Sequence, residues 1–266
     1  MTNAGLMDCK KALGEANGDL NGAVDILRKK GVATAAKKAG RDAREGVIAQ
    51  FIQPGGRLGV LVEVNCETDF VAKNEGFRAF CDDLAKRIAT DVNADLETLR
   101  TEQVAKIGEN IKISRHARLE VAGNGLIASY IHTGAKVGVL VEVGAGKEST
   151  ATSEGFRELV RDITLQIAAA NPTAVSREQV DQSLVMKEKE IAAEQVKDKP
   201  PQAIAKIVEG KMEKYFQTIC LVDQGFVKKN SEITVREHLA TVGKQLGDEL
   251  TIRRFVRFQV GEAPAA

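Results

Sequence analysis

The sequence predicts an α+β fold with antiparallel sheets and an inserted helical hairpin. Three observations carry that prediction. A β-branched hairpin followed by a helix occurs twice; a charged, helix-periodic stretch broken by a double proline comes next; a helix and then a strand close the chain. With 266 residues and 43% hydrophobic content, the chain can bury a real core, as one large domain or as two to three smaller modules.

Within Cys9 to Lys30, Leu13, Ala16, Leu20, Ala23, Val24 and Leu27 fall at helical spacing. Asn17-Gly18-Asp19 interrupts them as a turn and helix-start signal, so two short helices are expected in an N-terminal module, 1–32. The run Ala35-Ala36-Lys37-Lys38-Ala39-Gly40 has too few large apolar groups for a core, and 33–45 reads as a linker able to be helical.

From Gly46 the texture becomes β-branched. Val47 to Ile52, the turn Pro54-Gly55-Gly56 and Leu58 to Val64 predict a hairpin, and a helix is expected from Asn74 to Ala89. The segment Gly46 to Ala89 matches Gly125 to Ala168 without a gap, at a constant offset of 79 residues. Gly59-Val60-Leu61-Val62-Glu63-Val64 recurs as Gly138-Val139-Leu140-Val141-Glu142-Val143, and Glu75-Gly76-Phe77-Arg78 as Glu154-Gly155-Phe156-Arg157. The core thus divides into a first half, 46–124, with a further strand from Ile111 to Val121, and a second half, 125–173.

After Pro172, Val180, Leu184 and Ile191 lead to Lys199-Pro200-Pro201, followed by Ile204, Ile207, Val208, Met212 and Tyr215. Two amphipathic helices about a prolyl turn predict an antiparallel, coiled-coil-like hairpin over 174–217. The remainder, 218–266, reads as a return strand at Ile219 to Val222 and a C-terminal module. That module holds a helix bearing Val235, Leu239, Val242 and Leu246, opened by a Thr234/Glu237 capping box, and a strand from Leu250 to Val260.

Lys plus Arg (38) nearly balances Asp plus Glu (37), so no global field selects nucleic acid or an anionic membrane as the partner. Apolar runs such as Val60 to Val62 and Val137 to Val143 are strand-length, far short of a membrane span, and the start Met1-Thr2-Asn3-Ala4-Gly5 lacks the blocks of a signal peptide. A cytosolic address is expected. Cys9, Cys66, Cys81 and Cys220 are widely spaced, without a CxxC pair or a histidine at ligand spacing, so neither a metal site nor a disulfide frame is predicted.

The two copies differ most after their second strands. Asn65-Cys66-Glu67-Thr68-Asp69-Phe70-Val71 stands where the second copy has Gly144-Ala145-Gly146-Lys147-Glu148-Ser149-Thr150. As a local core residue, Phe70 would stabilise its unit by roughly 1.5–3 kcal/mol. The second copy manages with Ser149 at that place, which favours Asp69 and Phe70 as a protruding interface anchor.

Four strings carry a family resemblance: Met7-Asp8-Cys9-Lys10-Lys11-Ala12-Leu13, the Ala35 to Gly40 run, Glu63 through Thr68-Asp69-Phe70-Val71 to Lys73, and Lys106-Ile107-Gly108-Glu109-Asn110-Ile111. Together they closely resemble the elongation factor Ts family, over nearly the whole chain through Phe255-Val256-Arg257-Phe258. The resemblance implies a guanine-nucleotide exchange factor for elongation factor Tu rather than an enzyme. It also implies a ubiquitin-associated-like N-terminal domain, a two-part core, a coiled-coil hairpin and a C-terminal module. By motif, Thr68, Asp69, Phe70 and Val71 would form the wedge that dislodges the partner's magnesium ion, with Asp69 and Phe70 as the working pair. Ile107 and Gly108 would make a second contact, His132 would touch a more distant domain of the partner, and Lys10 and Val227 would contact it from the two ends of the chain. No cofactor, no direct nucleic-acid contact and no membrane contact are implied, and the helical hairpin is a candidate for self-association. In one respect the sequence departs from the family. The resemblance implies three N-terminal helices, the first ahead of the segment that here reads Thr2-Asn3-Ala4-Gly5; the sequence read from Met1 is expected to form two of them, a module that should expose an apolar face.

Other readings weigh less. Gly144-Ala145-Gly146-Lys147 imitates a phosphate-binding loop, but position 141 is Val and position 148 is Glu, against the required Gly and Ser or Thr. A Cys66/His132 nucleophile pair would ask catalysis of a strand-end thiol and a lone turn histidine. Bland structural roles are preferred for His116 and His238. A ubiquitin-associated-type adapter, or a nucleic-acid arm made by the lysine run with Arg41 and Arg44, would leave the repeated core unexplained.

Overall fold

The computed structural model describes residues 4–262. Two helices open the chain, α1 (Leu6–Glu15) and α2 (Leu20–Lys38). Asn17 and Gly18, both at positive φ, turn the chain between them, and the Asp19 carboxylate caps α2 by accepting from the N–H groups of Asn21 and Gly22. Helix α2 runs on through the alanine and lysine run, so the first part of the expected linker is its last turns. The module packs on the core through α2, where Gly31 lies close to Thr101 and Ala105.

The first half of the core is β1 (Glu45–Ile52), β2 (Leu58–Cys66), α3 (Asp69–Lys73), α4 (Glu75–Thr90), α5 (Leu96–Ile107) and β3 (Lys112–Glu120). The second is β4 (Gly125–Ile131), β5 (Val137–Ala145), α6 (Glu148–Ala151) and α7 (Glu154–Ala170), completed after an insertion by α10 (Val235–Leu246) and β6 (Leu250–Gln259). Each half forms an antiparallel three-stranded sheet, in the orders β1-β2-β3 and β4-β5-β6. The repeat is therefore longer than the gapless match. Ile113 pairs with Val64 as Ile252 pairs with Val143, just past a register shift at Glu63/Val64 and Glu142/Val143 respectively. Helices α5 and α10 correspond in the same way, and each ends on a left-handed glycine, Gly108 or Gly247.

The sheets lie face to face between two helical layers. Strand alternation sends Val60, Val62 and Val64 into a core with Phe77, Leu84 and Val104, while Leu61 points the other way, to Leu140, Ile48 and Ile127 of the inter-sheet core. Val139, Val141 and Val143 likewise pack with Phe156, Ile163 and Leu250. Being covered on both faces is why β2 reads as a continuous apolar run and is buried throughout. A Cβ on Gly59 would lie 2.6 Å from Ile127 Cγ2, and one on Gly138 2.5 Å from Ile48 Cγ2, so the repeated glycines mark the closest approach of the sheets.

One charged residue per half enters this interface. Glu63 accepts from Arg115 Nε at 2.7 Å and from the N–H of Gly261 at 2.9 Å; Glu142 accepts from Arg254 Nε at 2.7 Å and from the N–H of Ala122 at 3.2 Å. In each case the arginine is on the same sheet and the N–H comes from the other half.

The insertion is the helical hairpin α8 (Gln182–Glu194) and α9 (Pro201–Ile219), with Pro201 opening α9. Val180 and Val185 pack with Met212 and Ala192 is buried, whereas Leu184 and Ile191 are exposed, so along α8 the buried positions lie one residue beyond the expected ones. The expected strand at Ile219 to Val222 is replaced by a single bridge, Cys220 to Ala174, and a 3-10 turn over Leu221–Asp223. The reason is that the Gln224 side chain folds back to the carbonyls of Thr218 and Ala170, which pulls the backbone out of an extended path. The capping box of α10 is present, with Thr234 and Glu237 each accepting from the other's backbone N–H.

Candidate partner-binding surface

Phe70 lies on a helix. The segment after β2 winds into the five-residue helix α3, capped by Thr68, whose hydroxyl accepts from the Val71 N–H at 3.3 Å. Ala72 is buried and Val71 packs on the first core, which fixes the inner side of this turn. The outer side carries Phe70, 82% exposed, and Asp69, paired with Lys73 at 2.7 Å. Lys73 beside it holds the Asp69 carboxyl below the usual carboxylate range. A short helix with a free aromatic costs apolar exposure, so its geometry comes from its anchors.

Those anchors join two of the expected contact segments. Glu109, just past Ile107 and Gly108, accepts through Oε2 from the N–H groups of Glu67 (3.0 Å) and Thr68 (3.1 Å), and through Oε1 from the Thr68 hydroxyl (2.7 Å). Glu67 returns the contact by accepting from the Asn110 N–H at 2.6 Å, and this bond holds its own pKa down. The Asn110 side chain is buried and donates to the carbonyls of Ala39 and Arg41, while Lys38 donates to the Gly108 carbonyl. The end of α2, the Ile107-Gly108 corner and α3 are thus one knot. Ile107 is half-buried against the first core and Gly108 is exposed at φ 81°.

The other expected residues are distributed. His132 is exposed in the β4-β5 turn, with Tyr130 Oη 2.9 Å from its Nδ1. That turn is docked beside the start of β1, where Lys136 pairs with Glu45 at 2.5 Å and donates to the Gly46 carbonyl. Because Glu45 registers with Cys66, His132 belongs to the end of the first sheet from which α3 departs. Lys10 is exposed on α1 of the N-terminal module. Val227, 40% exposed, lies on a 3-10 turn whose N–H is held by Gln166 of α7 at 2.9 Å.

The discarded chemistries find internal uses. Cys66 is buried, its Sγ donating to the Thr68 carbonyl at 3.2 Å, and burial pushes its thiol up to about 12, far from a thiolate nucleophile. Lys147 of the glycine-rich loop is committed to the Gly247 carbonyl at 2.6 Å, and its N–H to Asp248. Among the described residues there is no cluster of His, Cys, Asp or Glu fit for a metal and no helix long and apolar enough to cross a membrane. Glu67, Glu109 and Asn110 were not singled out from the sequence. The signal was a second self-similarity, Ile107-Gly108-Glu109-Asn110-Ile111 against Leu246-Gly247-Asp248-Glu249-Leu250, hidden because the offset changes across the insertion.

The class of protein is given by the relatives of this duplicated α+β core with its helical hairpin and N-terminal module: they are translation elongation factors. The family model described as elongation factor TS matches residues 67–262. Elongation factor Ts of Nitratidesulfovibrio vulgaris is 42% identical over 269 residues, covering 100% of this chain and 93% of that protein. The proteins of the same name from Clostridium botulinum and Trichlorobacter lovleyi are 44% and 41% identical, each over 98% of this chain and 89% of theirs. This chain belongs to the elongation factor Ts family.

Proposed function

We propose that this protein binds the GDP form of elongation factor Tu in the cytoplasm and promotes GDP release by displacing its magnesium ion, so that GTP can rebind. The observation that carries this reading is Phe70: an aromatic held almost fully in solvent on a helix that is capped, braced and packed from behind. Such a side chain can enter a partner without first paying to be ordered. Magnesium and phosphate contacts supply much of the binding that keeps GDP in a GTPase, so shifting the metal's ligands weakens the nucleotide without general acid or base chemistry. Linkage makes the effect reciprocal: an exchange factor that lowers nucleotide affinity by some ratio is itself ejected more readily, by the same ratio, when nucleotide returns. In this reading Asp69 and Phe70 act on the metal site, Thr68 and Val71 seat them, and Ile107, Gly108, His132, Lys10 and Val227 hold the partner.

The test is release of a fluorescent GDP analogue from elongation factor Tu at saturating magnesium, with the parent and with Phe70→Ala. Acceleration by the parent that the variant loses by about tenfold or more, on the scale of an interface anchor, supports the reading. A parent that leaves release unchanged sinks it. The exposed Leu6, Met7, Leu20 and Val32 of the N-terminal module favour a second reading, an adapter without exchange activity. Partner binding indifferent to Phe70 but lost with Leu6 and Met7 would select it.

A further inference from the structure

We infer that Glu109 is the positioning residue of the Phe70 wedge: its carboxylate, gripping the Glu67 and Thr68 N–H groups and the Thr68 hydroxyl, sets the angle at which α3 leaves the core. The inference rests on the exchange reading above and adds a residue to it.

Three features support it. Glu109 ligates the helix cap itself, since the Thr68 hydroxyl that donates to Glu109 also accepts from Val71, so the first turn of α3 cannot rotate without breaking a bond to a carboxylate. Phe70 lies two residues beyond this grip and has almost no packing of its own to orient it. The second copy supplies an internal comparison. Asp248 stands where Glu109 does and accepts from the N–H of Lys147, the counterpart of Thr68, at 2.9 Å. Gly146 replaces Glu67 there, so the side-chain bond of Glu67 to Asn110 gives way to a backbone one, from the Gly146 N–H to the Glu249 carbonyl at 3.2 Å, and Ser149 replaces Phe70. In the copy with no wedge, Asp248 takes one N–H of the segment, its other oxygen accepts from its own neighbour Glu249 at 2.8 Å, and the Lys147 ammonium donates to the Gly247 carbonyl; in the copy that has one, both oxygens of a single carboxylate are spent on Glu67 and Thr68 in three hydrogen bonds, answered by the Glu67 side chain. Because Ile107 and Gly108 directly precede Glu109, the same residue also fixes the spacing between the two expected contacts.

The experiment measures accelerated release of the GDP analogue as a function of factor concentration for the full chain. For Glu109→Ala the maximal rate is expected to fall about tenfold, as for loss of hydrogen bonds to a charged group that matter in the exchange step, and the half-saturating concentration to change less than about threefold. Glu109→Gln, whose amide oxygen still accepts both N–H groups, is expected within about threefold of the parent. Adding Glu109→Ala to Phe70→Ala should cost nothing further, since a positioning residue has no effect once its cargo is gone. Asp248→Ala, which removes the matching brace, should leave exchange at the parental rate. If Glu109→Ala melts below the assay temperature, Thr68→Val removes only the shared hydroxyl and should show the same split. Parental maximal rates in a folded Glu109→Ala or Thr68→Val, multiplied losses in the double variant, or an equal loss in Asp248→Ala would overturn the inference while leaving the wedge standing. Full exchange by Phe70→Ala would overturn both.

Discussion

The N–H of Ile48 donates to the carbonyl of Ala135 at 2.7 Å, joining the first strand of one half to the hairpin turn of the other. The counterpart bond is present, from Ile127 to Gly56 at 2.8 Å. Val121 donates to Arg57 as Val260 donates to Lys136, both at 2.9 Å, and the Arg115 and Arg254 guanidinium groups each reach the last residue of the other half's third strand. The halves are therefore related by an approximate two-fold that reciprocal backbone bonds enforce. This is why the turn carrying His132 comes to rest beside the strand end from which α3 springs.

Ala135 occupies its turn at φ 58°, where its counterpart is a glycine at φ 66°. A left-handed conformation costs an L-residue about 1–2 kcal/mol, and glycine escapes that cost at the expense of a more flexible unfolded chain. Ala135→Gly is expected to raise stability by up to about 1 kcal/mol, read as a shift of the urea midpoint at unchanged slope.

Gly59 and Gly138 admit the facing sheet. Gly59→Val would drive two methyl groups into Ile127 and Leu140 and is expected to cost about 1–3 kcal/mol or more, the usual penalty of overpacking. Equilibrium denaturation measures it, and a neutral result would mean the sheets can separate without loss.

Burial pushes the Glu142 carboxyl up, but hydrogen bonds from Arg253, Arg254 and the Ala122 N–H together outweigh it and hold the group below its ordinary 4.5. A carboxyl depressed in the folded state contributes stability that is complete above 4.5 and is lost as pH falls through the folded value. Glu142→Gln should flatten the stability profile below that pH, while at pH 7 removing the charge should cost about 2–3 kcal/mol. An acid limb unchanged in the variant would assign the proton uptake elsewhere.

Phe70 and Phe77 are seven positions apart and opposite in consequence, the one 82% and the other 0% exposed. Phe77→Ala is expected to lose about 3–5 kcal/mol of stability, as for a large core truncation. Phe70→Ala should stay within about 0.5 kcal/mol of the parent, as for a surface site. Thermal melts of the two variants beside their exchange rates would separate damage to the fold from damage to the interface.

What the sequence disclosed follows the range of the interactions that encode it. Strand pairs, α4, α7 and the α10 capping box rest on neighbours a few residues away and were legible, as was the exposure of Phe70 through its contrast with Ser149. The five-residue α3 is too short to show a helical period, and its cap is stabilised by Glu109, 41 residues on. The bond that turns Gln224 back on Thr218 leaves no compositional mark, so Ile219 to Val222 kept the look of a strand. The equivalence of α5 with α10 and of β3 with β6 was concealed by the intervening hairpin, although Gly108 and Gly247 hold the same left-handed corner.

That insertion sets an order on biosynthesis. The first sheet has all three of its strands once residue 120 is made, whereas β5, ending at Ala145, waits for the strand beginning at Leu250. On a ribosome the first sheet can close early, while the second keeps an open edge until nearly the whole chain has emerged. An unpaired edge invites intermolecular pairing, so nascent chains of this protein face their greatest hazard of association in that interval.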